Sequence, residues 1–227
     1  NHYPKQTVDC LMNILGTHDT ARILTVLGEI YCNNKEEMAA KSAYLTPNDK
    51  ENAIKKLKMA AVLQFTLPGV PCIYYGDEIG MDFAKDVPSK EGGYIRTGAR
   101  TPMQWQDGKN HGFSESDTPY LPTDAKPNAP TVASQLNDEN SLLNLVKTLV
   151  KLRTQYEEFS DVSNLKVLAD GYPFVYERTV AGKKFLIALN PADRACGITI
   201  PPVQQIIVAH NVNMEKNLLQ MGGISCM

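Results

Sequence analysis

The sequence lacks the features that mark a nucleic-acid-binding or membrane protein. Its 23 basic and 25 acidic residues leave a net charge of −2, so no excess charge attracts nucleic acid or an anionic membrane. The longest apolar stretch, residues 60–75, is interrupted by Gln64, Pro68, Gly69 and Pro71, which excludes a membrane-spanning helix. We therefore predict no nucleic-acid partner and no membrane partner.

Cysteine is also scarce and irregularly placed. The five cysteines are odd in number, form no Cys-x-x-Cys pair and have no histidine at metal-ligand spacing. This pattern favours buried free thiols in a reducing compartment over disulfides, and hence a cytoplasmic protein. No compact cluster of oxygen ligands is present, so calcium stays possible but is not indicated, and we predict no cofactor. The cysteines are Cys10, Cys32, Cys72, Cys196 and Cys226.

The first part of the chain shows a strand, helix and strand pattern. Residues 8–15 (VDCLMNIL) run into Gly-Thr-His-Asp and predict a buried strand followed by a polar loop. A start signal at Thr46–Asp49 opens a helix that ends near Leu67, because Pro68-Gly69 cannot continue it. Residues 70–75 (VPCIYY) predict a second buried strand. A strand, a crossover helix and a second strand form the unit of a parallel α/β sheet.

The second part changes character twice. Residues 81–140 are rich in Gly, Pro, Asp and Ser and predict a long loop, which is usually functional when ordered. Residues 141–156 have the apolar period of an amphipathic helix. Beyond residue 160, short alternating runs separated by turn signals predict an antiparallel β-domain of five to seven strands. We predict two domains, residues 1–159 and 160–227.

Three motifs follow one another in the order found in one family of enzymes. Residues 12–22 (MNILGTHDTAR) resemble the seventh barrel strand of glycoside hydrolase family 13, the α-amylase superfamily. Residues 67–81 (LPGVPCIYYGDEIGM) resemble the eighth strand. Residues 99–105 (ARTPMQW), with Gly112-Phe-Ser behind them, resemble the following loop in the branch of α-glucosidases, oligo-1,6-glucosidases and trehalose synthases. The resemblance implies an α/β fold: the C-terminal portion of a (β/α)8 TIM barrel, then a small antiparallel β-sandwich called domain C.

The same resemblance gives roles to residues after these strands, where barrel active sites lie. Asp19 matches the carboxylate that stabilises the transition state of a retaining glycosidase, and His18 beside it would donate to a sugar hydroxyl. Arg100 matches an arginine that holds the terminal glucose in exo-acting members. Without the downstream motifs, His18 and Asp19 would be read as an ordinary turn in which Asp19 caps Thr20 or a nearby amide. Arg100 could likewise be a structural ion pair.

Two further residues near the predicted site have open alternatives. Arg22 would contact sugar, or else pair with Asp19 or Glu29. Asp77 and Glu78 look like a catalytic pair, but adjacent residues on a strand point to opposite faces. For Glu78 we therefore predict structural hydrogen bonding beneath the site, and we predict no metal site.

The chain departs from the family in one respect. The family's nucleophilic aspartate and acid/base glutamate lie on strands four and five, and only 17 residues precede His18. The resemblance therefore implies a C-terminal fragment that is inactive on its own. A complete barrel takes about 250 residues, and the missing units would leave a strand edge exposed. Such edges invite pairing, so we expect self-association of the isolated chain.

Three functions compete. The leading interpretation is part of a retaining, exo-acting α-glucosidase for short α-glucan oligosaccharides. A transglycosylase or isomerase of the same branch, such as a trehalose synthase, stays open because the loop at residues 99–105 does not separate them. The third is a non-catalytic carbohydrate-binding module formed by the β-domain, although its aromatic residues alternate like core residues. Trp105 and Phe113 are predicted to be loop-core residues rather than sugar-stacking platforms.

Overall fold

The computed structural model describes residues 3–28, 45–85, 87–126 and 128–227. Within these ranges no helix is long and apolar enough to cross a membrane. The β-domain contributes most of the strands, and the preceding part contributes the longest helices. In chain order the elements are α1 Lys5–Asp9, β1 Met12–Ile14, α2 Ile23–Leu27, α3 Pro47–Thr66, β2 Val70–Cys72, α4 Val132–Leu136, α5 Leu142–Gln155, β3 Leu165–Asp170, β4 Phe174–Val180, β5 Lys183–Asn190, β6 Cys196–Thr199, β7 His210–Glu215 and β8 Leu218–Cys226.

Helix α3 begins and ends at the signals read from the sequence. The Thr46 amide donates to Asp49 Oδ2 at 3.0 Å, and the Asp49 amide donates to Thr46 Oγ1 at 3.2 Å. This reciprocal pair satisfies amides that the first helical turn leaves unpaired. The helix ends at Thr66, just before Pro68 and Gly69, and Gly69 has a φ of +92° that suits glycine. The predicted helix is confirmed to within one residue at each end.

Strands β1 and β2 are shorter and more exposed than predicted. Val8 belongs to helix α1, and β1 covers only Met12–Ile14. Strand β2 stops at Cys72. The two strands are hydrogen-bonded neighbours, and the Val70 amide donates to the Leu11 carbonyl at 2.7 Å. They form a sheet of two strands within the described residues, which leaves their side chains uncovered: Met12 is 63% exposed and Val70 46%. The prediction of buried strands is therefore wrong.

The long loop at residues 81–140 has more structure than predicted. It contains 3-10 turns at Tyr94–Ala99 and Lys109–Gly112, and it contains helix α4. Helix α4 begins with a capping box in which the Thr131 and Ser134 side chains bond each other's backbone amides. Helix α5 follows and matches the predicted amphipathic helix to within one residue at each end.

The β-domain is an antiparallel sheet of six strands, as predicted. The strand order is β3-β4-β5-β8-β6, with β7 also paired to β8. Alternate side chains point into one apolar core, because successive residues of a strand face opposite sides. That core is formed by Val175, Ala188, Ile200, Leu219, Met221 and Met227.

The described residues group into two compact units, each assembled from separate parts of the chain. The sheet unit comprises residues up to 13, 58–72 and 146–227, and the motif unit comprises 14–57 and 73–145. In the motif unit Ile79, Met81, Met103 and Leu143 form a buried cluster. The division into domains 1–159 and 160–227 stays a prediction.

Four of the five cysteines lie in the described residues and carry free thiols. Cys226 is buried, and Cys72 and Cys196 are partly buried. Cys10 is exposed, so the prediction of burial is wrong for this thiol. Cys32 lies outside the described residues.

Candidate active site

Asp19 lies in a tight turn that begins three residues after β1. The Thr17 amide donates to Thr20 Oγ1, and the Asp19 amide donates to Thr17 Oγ1, each at 3.2 Å. The two threonines therefore hold the turn, and the Asp19 carboxylate is left to point outward. Its side chain is 49% exposed. A turn is present, but the Thr17 and Thr20 side chains hold it rather than Asp19, whose carboxylate is accessible and accepts from Arg96 and Arg100.

Three charged or titratable side chains surround the Asp19 carboxylate. Arg96 Nη1 and Arg100 Nη2 both donate to Asp19 Oδ1, at 2.8 and 3.0 Å. His18 Nε2 lies 3.2 Å from Asp19 Oδ2. Arg100 also donates through Nε to the His18 carbonyl at 3.0 Å. The structure thus brings together His18, Asp19 and Arg100, three of the residues that the sequence singled out.

Arg96 is a site residue that the sequence analysis missed. Its guanidinium donates to the backbone carbonyls of Gly92 at 3.2 Å and Gly93 at 3.4 Å, which fixes its direction before it meets Asp19. Its spacing gave no usable signal: Arg96 precedes Arg100 by four residues, but the segment is a 3-10 helix with about three residues per turn, in which that spacing does not align two side chains.

Arg22 is buried beneath the site rather than exposed within it. Its guanidinium lies 4.7 Å from the Tyr74 ring centre and 4.8 Å from that of Tyr75, an arrangement suited to cation–π attraction. Its Nη1 donates to the Tyr75 carbonyl, while Nε and Nη2 have no hydrogen-bond partner among the described residues. The Arg22 side chain is 0% exposed.

This burial corrects the sequence-based expectations for Arg22. A fully buried guanidinium does not reach a sugar in the cleft, and its carboxylate neighbour is Asp77 Oδ1 at 3.6 Å. Among the described residues its acidic partner is Asp77 rather than Asp19; the alternative partner Glu29 lies outside them, so that pairing stays a prediction. Burial raises the pKa of Asp77 to about 7, an effect that Arg22 opposes and the Glu78 charge reinforces.

A cavity of about 460 Å³ opens beside Arg100. Trp105 and Phe113 are 50% and 52% exposed, so the prediction that they are loop-core residues is wrong. Glu78 also lines the cavity, and its Oε2 is buried without a hydrogen-bond partner in the part of the chain that the structure describes. The structural hydrogen bond expected for Glu78 is therefore not formed by this oxygen. The lining residues are Tyr75, Glu78, Arg100, Pro102, Met103, Trp105, Phe113, Tyr120 and Leu121.

The described residues contain no group of three or more metal-ligating side chains. The site combines the Asp19 carboxylate, the guanidinium groups of Arg96 and Arg100, and the His18 imidazole. Such a set combines hydrogen-bond donors and acceptors without a large net charge, so its chemistry is compatible with a neutral polyhydroxyl ligand.

Comparison with known proteins identifies the family to which the chain belongs. Residues 2–161 match the family model described as alpha amylase, catalytic domain. The oligo-1,6-glucosidase of Parageobacillus thermoglucosidasius is 27% identical over 201 residues, which cover 76% of this chain and 35% of that protein. The trehalose synthase/amylase of Mycobacterium tuberculosis is 35% identical over 140 residues, which cover 58% of this chain and 22% of that protein.

Solved structures show the fold. Isomaltulose synthase from Erwinia rhapontici NX5 superimposes with a TM-score of 0.70 and 22% identity, covering 97% of this chain and 44% of that one. The fold is thus that of part of a TIM barrel followed by an antiparallel β-domain. The chain spans less than half the length of each of these proteins. It belongs to the α-amylase catalytic-domain family of glycoside hydrolases.

Proposed function

We propose that this chain is part of a retaining glycoside hydrolase that cleaves α-glucosidic bonds at the ends of short α-glucans. The observation that carries the proposal is the Asp19 carboxylate, placed between His18 and Arg100 and held by two arginines. The match to an oligo-1,6-glucosidase over most of the chain supports the same substrate class.

The proposed role of Asp19 follows from the charge that develops during glycoside cleavage. The transition state resembles an oxocarbenium ion, and hydrogen bonds to ring hydroxyls that strengthen in that state stabilise it by several kcal/mol. Asp19 Oδ2 would accept from one hydroxyl and His18 would donate to another. Arg96 and Arg100 would fix the carboxylate in position, so that little reorganisation is needed during the reaction.

The nucleophile and the acid/base are not among the residues assigned here. The 227-residue chain alone should therefore hydrolyse no 4-nitrophenyl α-glucoside, and measurable turnover by the pure chain would contradict this expectation. The chain would contribute sugar recognition and transition-state stabilisation, while other residues would supply the covalent chemistry.

A second candidate is a transglycosylase or isomerase, favoured by the similarity to a trehalose synthase/amylase. Both reactions share the first glycosyl transfer and differ in the acceptor, which is water in one and a sugar hydroxyl in the other. Product analysis separates them: free glucose from maltose indicates hydrolysis, and a rearranged disaccharide indicates isomerisation.

The test uses the protein made from the complete reading frame that contains residues 1–227. Replacing Asp19 by Asn should lower kcat for maltose or isomaltose by about 100-fold or more, because roughly 3 kcal/mol of transition-state stabilisation is lost. Asp117→Asn is the matched control, since the Asp117 side chain is 95% exposed, and it should leave kcat unchanged. An Asp19→Asn protein with undiminished kcat would refute the role of Asp19.

A non-catalytic sugar-binding module predicts a different result. Maltose binding in the millimolar range would then survive both His18→Ala and Arg100→Ala, because the β-domain would hold the sugar. Under the proposed function, both substitutions weaken binding.

A further inference from the structure

The segment between strands β6 and β7 has no strand partner. Strand β6 ends at Thr199, and β7 begins at His210. Among the described residues, no backbone group of residues 201–209 forms a hydrogen bond with another backbone group. Peptide N–H and C=O groups without such partners need water or another molecule. The segment therefore offers a set of unused donors and acceptors at the surface of the β-domain.

The sequence of this segment is that of a strand that pairs readily. Residues 203–209 (VQQIIVA) consist mostly of Val and Ile, which favour extended chain, and they include neither proline nor glycine. Ile206 and Ile207 are each 44% exposed, so much of their apolar surface remains in water. Exposed, uncharged runs of six or seven residues with high β-propensity are the ones that pair with other chains.

The same stretch lacks the charged residues that usually protect an exposed edge. Natural edges carry charged side chains, above all lysine, which prevent pairing with another chain. Residues 195–214 contain no Asp, Glu, Lys or Arg, and the nearest charged residues are Arg194 and Glu215. Pro201 and Pro202 interrupt pairing only before the run, not inside it. No charge or proline within the run therefore opposes a second strand.

A second copy of the same segment is the partner that fits this surface. Like charges that face each other across two strands are destabilising, and they are the usual obstacle when identical strands pair. An uncharged run lies beside its own copy without that repulsion. The side-chain amides of Gln204 and Gln205 both donate and accept, so each of them also matches its own copy chemically.

The ends of the run define the register of such a pair. Pro202 has no amide hydrogen to donate, and His210 is already paired with Cys226 on β8. An antiparallel pair that uses all of residues 203–209 therefore places Ile206 of each copy on a two-fold axis, opposite its own counterpart. The most exposed apolar part of the run is then covered by the same part of the second copy.

The pairing needs only a local change of the backbone. The segment bends at Gln204 and Ile207, but no backbone-to-backbone hydrogen bond is broken when it straightens. We propose that residues 203–209 pair with the same residues of a second chain as antiparallel strands and form a symmetric dimer. A two-fold axis closes this association at two chains. The inference is independent of the proposed function.

Hydrogen exchange measured by mass spectrometry tests this pairing in the 227-residue chain. Two short strands form a small interface, so the association requires concentrated protein. We expect amides of residues 203–209 to exchange at least about tenfold more slowly in concentrated solution than after roughly hundredfold dilution, which separates the dimer by mass action. Association through the exposed strands β1 and β2 would instead slow exchange at residues 12–14 and 70–72. Equally fast exchange of residues 203–209 at both concentrations would overturn the proposal, and a segment that pairs only with a different protein would give this result.

A charge on the two-fold axis tests the register. Ile206→Lys places two lysines opposite each other and Ile206→Glu two glutamates, so each variant alone should lose the slow exchange. An equimolar mixture of the two variants should regain it, because lysine then faces glutamate.

Val150→Lys is the matched control, since Val150 is 40% exposed on helix α5, and it should keep the slow exchange of residues 203–209. Because Ile206 is nearly half exposed, its replacement should leave the chain folded, and an unchanged urea midpoint checks this. Slow exchange that persists in Ile206→Lys alone, or a mixture that stays as fast as its two components, would overturn the symmetric pair.

Discussion

At the scale of single residues, Asp77 is a buried carboxyl group whose pKa is strongly raised. Removal from water raises its pKa to about 7, against the opposing charge of Arg22. Its Oδ1 lies 3.6 Å from Arg22 Nη1, too far for a hydrogen bond. Gly16 allows this position, because a Cβ atom there would collide with the Asp77 carboxylate. The carboxyl group therefore changes its charge near neutral pH.

This shift predicts a stability that depends on pH. The folded pKa of about 7 lies above the reference value of 3.8, so the folded state holds the proton more tightly and stability falls as pH rises through this window. We expect Asp77 to lower the free energy of unfolding by roughly 2–3 kcal/mol between pH 5 and pH 8. Urea denaturation of the wild-type chain and of Asp77→Asn at both pH values isolates the contribution of Asp77 to the free energy of unfolding.

The Asp77→Asn variant should lose this fall in the free energy of unfolding between pH 5 and pH 8, since the asparagine side chain does not titrate. Asp117→Asn, which alters a fully solvated carboxylate, should keep it. The same pH slope in the wild-type and Asp77→Asn chains would show that Asp77 is ionised throughout this range.

Part of the site could be predicted from sequence at this scale, and part could not. His18, Asp19 and Arg100 stand in motifs whose order along the chain is specific, and the structure brings them together. Arg96 belongs to no recognised motif, and its contact with Asp19 spans 77 residues. Arg22 stands in a motif, but its burial depends on Tyr74 and Tyr75 folding over it, which spacing alone does not reveal.

At the scale of elements, one buried arginine ties strand β4 to the end of helix α3. Arg178 is 0% exposed and donates to the carbonyls of Thr66, Phe159 and Asp161, and to Asn164 Oδ1 at 2.6 Å. Thr66 is the last residue of α3, where carbonyls lack partners within the helix. Burial lowers the pKa of Arg178 to about 10, so the group still carries its charge at neutral pH and suits the negative end of the helix.

Removing this arginine should be costly. Arg178→Met leaves several buried acceptors without a donor, and each costs about 1–3 kcal/mol, so we expect a loss of at least about 3 kcal/mol in the free energy of unfolding. Urea denaturation measures it. Lys184→Met, a change in a 71% exposed side chain on β5, should cost less than about 0.5 kcal/mol. A loss below about 1 kcal/mol for Arg178→Met would show that water replaces the guanidinium.

Helices α3 and α5 were more predictable than strands β1 and β2, for physical reasons. Helices α3 and α5 carry their own start signals and apolar period, which act locally. Helix α4 has five residues, too few to show a period, and its Thr131 cap passed unnoticed. The exposure of β1 and β2 depends on what covers them, and that is not encoded in the strands themselves.

At the scale of the whole molecule, the exposed strands predict association. Met12 on β1 is 63% exposed and Val70 on β2 46%, and Leu11, just before β1, is 50% exposed. Uncovered strands of this kind pair with other chains, so we expect a hydrodynamic mass above that of a 25.1 kDa monomer. Light scattering coupled to size-exclusion chromatography measures it.

A charge in the strand pair should reverse the association. Val70→Lys should shift the chain towards the monomer, whereas Val150→Lys, at a 40% exposed position on α5, should not. A sharp monomer peak for the unmodified chain would contradict the prediction.

The cations that hold Asp19 both come from one short segment, residues 94–100. The segment lies in the connection between β2 and α4, and connections tolerate replacement more readily than the strands and helices that they join, although Thr97 and Ala99 are buried here. A single exchange would remove both guanidinium groups beside the carboxylate and one wall of the adjoining cavity, while β1 and the six-stranded sheet stayed as they are. One insertion or deletion at this place can therefore change the surroundings of the Asp19 carboxylate without a series of separate point mutations.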